Sequence, residues 1–366
     1  MYKALTEAPT ITSEAEYRAF PALNYSALKN IETKPINALE DKDRKPNEYM
    51  INGDIFDLLL LSGMHMFSAS YHVYDGPPIT PAKQGLCDYI LDNKLPFALT
   101  GADDADPATI ASVLEAVDAN DYKAAKVEKT LLKHVLEDSA EYLKQKLANS
   151  DKTMISREVF NTITDEVMIM KQHNLTKYWF EPSKSSKLYT QCPIFFNATT
   201  LSGKRIAFKG LLDLLIIDHE EKMIEVGDLK RLFTKGSLLG TRKEIMNGKL
   251  YLQAAQYSYG LRTAREGGEA WLFDREGNLI NIEGYSIELF KNIVYNYDQG
   301  QPSIWKYTRK DLHTGTYGGQ SKFGYPVRGF LDLADDVLWH HKHEKWEYPK
   351  SIYNAGRIGV DVDLFI

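Results

Sequence analysis

Cysteine is scarce in this sequence, because its 366 residues include only Cys87 and Cys192. Two cysteines this far apart cannot form a disulfide framework or a zinc knuckle, and they are too few for a four-cysteine iron–sulfur cluster. No apolar run reaches membrane-spanning length, and the first residues lack the pattern of a secretory signal peptide. These absences predict a soluble cytoplasmic protein that does not enter a membrane.

The chain also lacks an excess of positive charge. Its formal net charge is −6, from 44 Lys and Arg against 50 Asp and Glu, so the whole protein does not have the basic balance of many DNA-binding domains. A local patch is sufficient for phosphate contacts, however. Such a patch follows residue 229. The alternative to phosphate binding is that these charges only solvate a loop and the start of a helix. The basic residues of the patch are Lys230, Arg231, Lys235, Arg242, Lys243 and Lys249.

A β-hairpin carrying two acids and a lysine is predicted over residues 209–230. Its first strand, KGLLDLLIID, contains Asp213, and DHEEK forms a polar turn. In the second strand, KMIEVGDLK, Asp228 and Lys230 are two residues apart and therefore point to the same face. A carboxylate among leucines needs a partner, and a metal or a lysine would serve. The alternatives are an edge or bulge aspartate and a solvated Asp-x-Lys pair.

Two carboxylates beside a lysine suit Mg²⁺-assisted hydrolysis of a phosphodiester. Carboxylate oxygens are preferred ligands of Mg²⁺, and the metal lowers the pKa of a bound water. We therefore predict that Asp213 and Asp228 bind Mg²⁺, for which Mn²⁺ could substitute. The backbone carbonyl of Leu229 is a candidate additional ligand. Lys230 would orient the attacking water or steady charge on the phosphate.

A helix is predicted over residues 247–265, directly after the basic patch. Gln253 and Tyr257 are four residues apart on it and so share one face. Glutamine offers two donors and an acceptor, and tyrosine offers a hydroxyl over an aromatic body. The alternative is a helix that buries Tyr257 and exposes Gln253.

Three motifs in this order resemble the PD-(D/E)XK nuclease superfamily, and more narrowly its RecB-type and RecE (exonuclease VIII)-type exonucleases. The separation of the two acids, 228 − 213 = 15, suits a hairpin. The residues that carry the resemblance are Gly210 and Asp213, then Asp228 and Lys230, then Gln253 and Tyr257.

The resemblance implies an α/β fold with a mixed central sheet flanked by helices, in helix–β–β–β–helix–β order. Strands predicted over 187–197, 205–218 and 222–230 fit this order. It also implies that Gln253 and Tyr257 pack near the site and contact the DNA backbone. Four residues of the basic patch are then expected to contact phosphates: Arg231, Lys235, Arg242 and Lys243.

The activity implied by the resemblance is that of a Mg²⁺-dependent exodeoxyribonuclease of phage-type recombination, working in the bacterial cytoplasm. RecE-like relatives degrade linear duplex DNA from its ends, 5′ to 3′, as ring oligomers, and a single-strand annealing protein is an expected partner. The alternatives are a site-specific endonuclease on the same core and a catalytically decayed nuclease scaffold that binds DNA or a partner protein.

The N-terminal region follows the RecE-type pattern with a departure. In that pattern a serine-led helix and a proline precede a Gly-x-x-x-His helix; here Ser26 is a predicted N-cap, Pro35 follows, and Gly53 allows close approach. Asp57 stands in place of the histidine, so it is a candidate to bind or orient the metal, the alternative being a salt-bridged or helix-terminal acid. In the first predicted strand, where the RecE-type pattern often has a glutamate, Gln191 stands near that position.

The predicted organisation has four parts. Residues 1–64 form the N-terminal helical part of the nuclease domain, and residues 65–180 form a helical insertion or cap. Residues 181–300 form the catalytic core, and residues 301–366 form a Gly-, Tyr- and Lys/Arg-rich loop with a C-terminal tail.

The tail ends in GVDVDLFI and predicts a docking peptide. Asp363, Leu364 and Phe365 are similar to the short peptides by which DNA-processing enzymes bind the bacterial sliding clamp. Asp361 stands where those peptides have glutamine. The alternative is a final β-strand packed on the core.

Overall fold

The computed structural model describes residues 2–11, 13–38, 47–234, 238–321 and 324–354. The chain divides into two compact units, one formed by Met1–Leu61 with Asp165–Ile366 and the other by Ser62–Thr164. In the described part of the first unit, helices flank a mixed seven-stranded sheet. The predicted α/β class with a mixed central sheet is therefore confirmed.

The secondary-structure elements are numbered here in chain order. The helices are α1 (Glu14–Ala19), α2 (Tyr25–Asn30), α3 (Glu48–Leu61), α4 (Gly63–Ser70), α5 (Pro81–Asp92), α6 (Pro107–Ala119), α7 (Glu128–Leu136), α8 (Ala140–Ala148), α9 (Arg157–Gln172), α10 (Leu238–Asn247), α11 (Leu250–Arg265), α12 (Arg309–Tyr317), α13 (Phe330–His343) and α14 (Lys350–Asn354). Single 3₁₀ turns occur at Pro35–Ala38, Ala102–Asp104 and Lys177–Trp179. The strands are β1 (Tyr71–Tyr74), β2 (Thr153–Ser156), β3 (Ser186–Thr199), β4 (Arg205–Asp218), β5 (Met223–Leu232), β6 (Ala270–Leu272), β7 (Ser286–Ile287), β8 (Lys291–Asn296), β9 (Gln301–Lys306), β10 (Gly319–Gln320) and β11 (Pro326–Val327).

The central sheet has the strand order β6-β3-β4-β5-β8-β9, with β7 paired to the start of β5. Strands β3, β4 and β5 form an antiparallel meander, whereas β8 runs parallel to β5 and β9 antiparallel to β8. The β4–β5 turn is closed by Asp218, whose Oδ1 accepts hydrogen bonds from the backbone nitrogens of Glu220 (3.0 Å) and Glu221 (2.9 Å). The predicted hairpin thus forms with the turn where the polar residues lie.

Strands β4 and β5 separate at the acid in β4. Their pairing runs from Asp218↔Met223 only to Leu214↔Gly227. Beyond that point the β4 edge is taken by the N-terminal segment, because Leu23 accepts from the Lys209 nitrogen (2.8 Å) and donates to the Ala207 carbonyl (3.0 Å). Asp213 is therefore placed at a fork in the sheet, where backbone groups of β5 have lost their partners on β4.

Gln191 lies opposite this fork on the other neighbour of β4. The β3–β4 register pairs Thr190 with Leu214 and Cys192 with Leu212, which leaves Gln191 opposite Asp213. Gln191 has a left-handed backbone, with φ of 51°. A non-glycine residue in this region marks a local irregularity, and the irregularity coincides with the acid.

The smaller unit is helical with a short parallel pair of strands. Helices α5 to α8 pack around a core that includes Leu86, Ile90, Val113 and Val135, and β1 pairs in parallel with β2. The insertion predicted over 65–180 overlaps this unit, which ends at Thr164. Among the described residues, none of the helices has the length and apolar character needed to cross a membrane.

Several local predictions are wrong. Helix α2 is capped by Asn24, not by Ser26, because the Asn24 Oδ1 accepts from the Ala27 nitrogen at 2.9 Å. A Cβ on Gly53 would meet nothing within 4 Å, so this glycine permits no close approach. Residues 301–366, predicted as a loop and a C-terminal tail, contain β9, α12 and α13 in their described part, and a Thr308–Asp311 capping box starts α12.

Candidate active site

The Asp213 side chain provides a hydrogen-bond acceptor for a backbone group at the fork in the sheet. Its Oδ2 accepts a hydrogen bond from the Leu229 backbone nitrogen at 2.8 Å, which replaces the missing ladder bond between β4 and β5. Burial raises the pKa of the Asp213 carboxyl well above its usual range, and the nearby Asp228 carboxylate raises it further. The fold thus holds this acid where its charge is poorly solvated.

Asp228 is held by two side chains and is only 1% exposed. Its Oδ1 accepts from Gln253 Nε2 at 2.7 Å, and its Oδ2 forms an ion pair with the Lys230 ammonium. Lys230 Nζ also donates to the carbonyl of Leu229 at 3.0 Å. The ammonium therefore contacts two of the four groups predicted as metal ligands, namely Asp228 and the Leu229 carbonyl.

Asp57 completes the group that we call the acid–lysine cluster: Asp57, Asp213, Asp228 and Lys230. It lies on α3, which packs against β5. Burial raises the pKa of Asp57 to about 7, with Lys230 opposing the shift and Asp228 adding to it. Burial lowers the pKa of Lys230, but the Asp228 and Asp213 carboxylates outweigh this, so its net shift is upward.

The donor set fits a hard divalent cation. The cluster offers carboxylate and carbonyl oxygens, which are the ligands that Mg²⁺ prefers. The Lys230 ammonium contacts Asp228 and the Leu229 carbonyl. These oxygens therefore already pair with a positive charge at this place. Across the described ranges, no group of three or more His, Cys, Asp or Glu side chains is arranged to hold a metal. The carbonyl oxygen would therefore supplement Asp213 and Asp228.

Gln253 and Tyr257 point into the protein from α11. They are only 7% and 6% exposed, and Gln253 Nε2 donates to the Tyr257 hydroxyl at 3.3 Å as well as to Asp228. In this conformation Gln253 orients the carboxylate. The DNA contacts expected of these two residues remain a prediction.

The motif glycine has a packing role. A Cβ on Gly210 would lie 2.7 Å from Tyr257 Cδ1 and 3.2 Å from Ile194 Cγ2. The Tyr257 ring can therefore rest on β4 only because residue 210 has no side chain. This contact connects the Gly-x-x-Asp motif with the Gln-x-x-x-Tyr motif.

Substituting Gly210 by alanine is expected to lower the free energy of unfolding by about 1–3 kcal/mol, because the added methyl group overpacks against Tyr257. Displacement of α11 would also move Gln253 and so reduce activity. Urea unfolding of both variants checks this, with Gly53→Ala as the control. That change should instead stabilise α3 by about 0.5–1 kcal/mol, since alanine is the better helix former and meets no neighbour. A Gly210→Ala protein as stable as the wild type would contradict the packing argument.

The predicted basic residues have different environments. Arg231 is buried and forms a bidentate ion pair with Glu166 (2.7 and 2.9 Å), so its guanidinium already has a partner within the protein. Arg242 and Lys243 are exposed on α10 and available to phosphates. Outside the described residues lie Lys235 and the predicted docking residues Asp363, Leu364 and Phe365.

The sequence did not reveal a buried polar pair, Asn292 and Tyr307, on the side of β5 that is away from β4. Asn292 on β8 is the register partner of Asp228, and its Nδ2 donates to the Tyr307 hydroxyl at 2.8 Å. The polar residue Asn292, directly before the apolar run IVY, was the available signal. The sequence could not show that this run lies beside β5.

No protein-family model matches this sequence, and no curated protein does so either. The functional assignment therefore depends on the geometry of the acid–lysine cluster.

Proposed function

We propose that this protein is a metal-dependent deoxyribonuclease with a PD-(D/E)XK-type core. The observation that carries this proposal is the convergence of Asp213, Asp228 and Lys230 at the fork between β4 and β5. Most buried acids pair with one base, whereas here poorly solvated carboxylates share a single lysine. Such an arrangement favours the binding of a further cation.

Asp213, Asp228 and the Leu229 carbonyl would hold Mg²⁺ or Mn²⁺, and Asp57 is the neighbouring acid that could bind or orient it. When bound, the metal stabilises charge on the phosphate and makes water a better nucleophile. Gln253 keeps Asp228 in one orientation through the bond to Oδ1. These residues therefore form the binding set, and its support is preorganised before DNA arrives.

Lys230 acts as a charged hydrogen-bond donor. Burial opposes the charged form, but the Asp228 and Asp213 carboxylates raise the pKa of Lys230, so the metal-free protein favours the ammonium. Once its carboxylate partners are neutralised by another cation, its three donors can orient the attacking water or a phosphate oxygen. Attack forms the new oxygen–phosphorus bond in line with the bond that breaks, which yields a phosphate monoester and a free hydroxyl.

The substrate class proposed is linear duplex DNA, degraded from its ends as RecE-type exonucleases do. Exposed Arg242 and Lys243 on α10, together with Lys235, are the proposed phosphate contacts. By the same resemblance we propose a ring of identical subunits, a single-strand annealing partner and a role in phage recombination in the bacterial cytoplasm. Sliding-clamp binding through Asp363, Leu364 and Phe365 is a separate proposal.

Digestion of an end-labelled linear duplex beside a closed circle of the same sequence tests the activity. With Mg²⁺, the linear substrate should disappear and the circle should persist, and EDTA should stop the reaction. Cleavage of the circle would instead identify an endonuclease. If both substrates survive with Mg²⁺ and with Mn²⁺, the catalytic proposal fails, and a gel-shift with the same duplex would test the decayed binding scaffold.

A further inference from the structure

Asn292 is a buried carboxamide on β8, the strand next to Asp228. It pairs in register with Asp228 on the parallel strands β5 and β8, so the two side chains project to the same face of the sheet. It is 1% exposed. Its Nδ2 donates to Tyr307, while among the described residues its Oδ1 has no hydrogen-bond partner.

The unpartnered oxygen of Asn292 is costly for stability. A buried acceptor without a partner costs about 1–3 kcal/mol, and a leucine at this position would extend the apolar run of β8 without that cost. Buried polar groups with unused hydrogen-bonding capacity occur where a ligand or a catalytic group needs them. The functional group that β5 presents in register with Asn292 is the carboxylate of Asp228.

Tyr307 holds the amide in place. It follows β9, is 8% exposed, and its backbone nitrogen donates to the Phe290 carbonyl at 3.0 Å. Burial raises the pKa of Tyr307, and the field of the Asp228 carboxylate raises it further. The hydroxyl therefore stays protonated and lies within the electrostatic reach of Asp228.

The Asn292–Tyr307 pair has one hydrogen-bonding group left unused in either orientation of the amide. With the amide as observed, Oδ1 is free and the tyrosine proton can point elsewhere. With the amide turned over, the hydroxyl donates to Oδ1 and the Nδ2 group becomes a free donor. In either orientation the pair keeps one unused donor that a carboxylate could accept, namely the tyrosine proton in the first and the amide nitrogen in the second.

We propose that Asn292 and Tyr307 are positioning residues that fix the Asp228 carboxylate for divalent-cation binding, acting from β8 as Gln253 acts from α11. This inference rests on the proposed nuclease function. A metal at Asp228 would compete with Lys230 for Oδ2, and a second polar support would keep the carboxylate in place when the cations compete. Outer-shell partners of this kind affect metal affinity and activity by about 10–100-fold.

The test compares Asn292→Leu, Tyr307→Phe and the double variant with the wild type. Calorimetric titration of the intact protein with Mn²⁺, without DNA, should show binding weakened about 10–100-fold in each. Cleavage at low Mg²⁺ should fall in parallel and recover at high Mg²⁺, with the KM for DNA unchanged. The double variant should be no worse than Asn292→Leu, because the pair acts as one unit.

Two controls separate positioning from general damage to the core. Tyr142→Phe removes a buried hydroxyl that donates to Asp88 at 2.7 Å in the other unit, and Asn197→Leu removes a buried amide from β3. Both should lower the melting temperature and leave Mn²⁺ affinity unchanged. If Asn292→Leu does not fold, the Mn²⁺ affinity of Tyr307→Phe decides between the two roles, since that change removes one oxygen only.

Mn²⁺ affinity within twofold of the wild type in the folded variants would overturn the positioning role, while cleavage by the wild type would still uphold the nuclease. A wild type that neither binds Mn²⁺ nor cleaves DNA would overturn the proposed function and this inference together.

Discussion

Asp213→Asn is expected to lose DNA cleavage by about a thousandfold while the metal-free protein remains at least as stable as the wild type. A metal ligand contributes several kcal/mol of charge stabilisation, and each 1.36 kcal/mol is a tenfold change in rate. The raised pKa of Asp213 shows that the metal-free fold favours its neutral form. Asparagine is close in shape to that form, and its Oδ1 can still accept from the Leu229 nitrogen.

The pH dependence of stability has a definite sign for this variant. A carboxyl whose pKa is raised by folding stabilises the protein below its unfolded pKa, near 3.9, and that contribution is lost as the pH rises through the folded pKa. The stability advantage of Asp213→Asn in EDTA should therefore grow as the pH rises from about 4.

Asp218 on the same strand provides the opposite control. Hydrogen bonds from the Glu221 nitrogen and the Ser185 hydroxyl lower its pKa, so its contribution is present above the unfolded pKa and is lost as the pH falls. Asp218→Asn should be destabilised at neutral pH, match the wild type in strong acid, and retain cleavage when folded. Thermal melts across pH check both variants. Full activity in Asp213→Asn would remove this residue from the site.

Lys230→Met is expected to lose both activity and stability, and added Mg²⁺ should restore the stability alone. Removing the ammonium leaves the Asp228 carboxylate, 1% exposed, without its charge partner. An uncompensated buried charge costs about 3–5 kcal/mol. A divalent cation can replace the lost charge, and binding at a hundred times its dissociation constant returns about 2.7 kcal/mol.

The deficit of Lys230→Met should also shrink as the pH falls. Without the lysine, the pKa values of Asp57 and Asp213, already raised by burial, rise further, and acids with raised pKa values stabilise the fold at low pH and destabilise it at high pH. Denaturant titrations at pH 5 and pH 8, each with and without Mg²⁺, measure these effects.

Lys291→Met is the matched control, because Lys291 on β8 pairs with Glu225 on β5 and each side chain is 15% exposed. This variant should keep its activity and gain no particular stability from Mg²⁺. An equal Mg²⁺ response in the two lysine variants would show that the cation does not act at the acid–lysine cluster.

The sequence by itself was sufficient for the hairpin and for its contents. Alternation along KMIEVGDLK places Asp228 and Lys230 on one face, and they form an ion pair. The apolar run around Asp213 predicted a buried strand, and β4 covers Arg205–Asp218. Such features follow from side-chain periodicity over a few residues, so they can be derived without knowing what the strand packs against.

Only the tertiary structure decided how the acids are supported. The fork at Asp213 exists because Leu23 takes the edge of β4, and Arg231 is withdrawn from solvent by Glu166, 65 residues earlier. Gln253 faces Asp228 because α11 lies with this face against the sheet, and Asn292 is in register with Asp228 because β8 pairs in parallel with β5. These contacts join residues distant in sequence, and local periodicity contains no information about which distant strand or helix will be the neighbour.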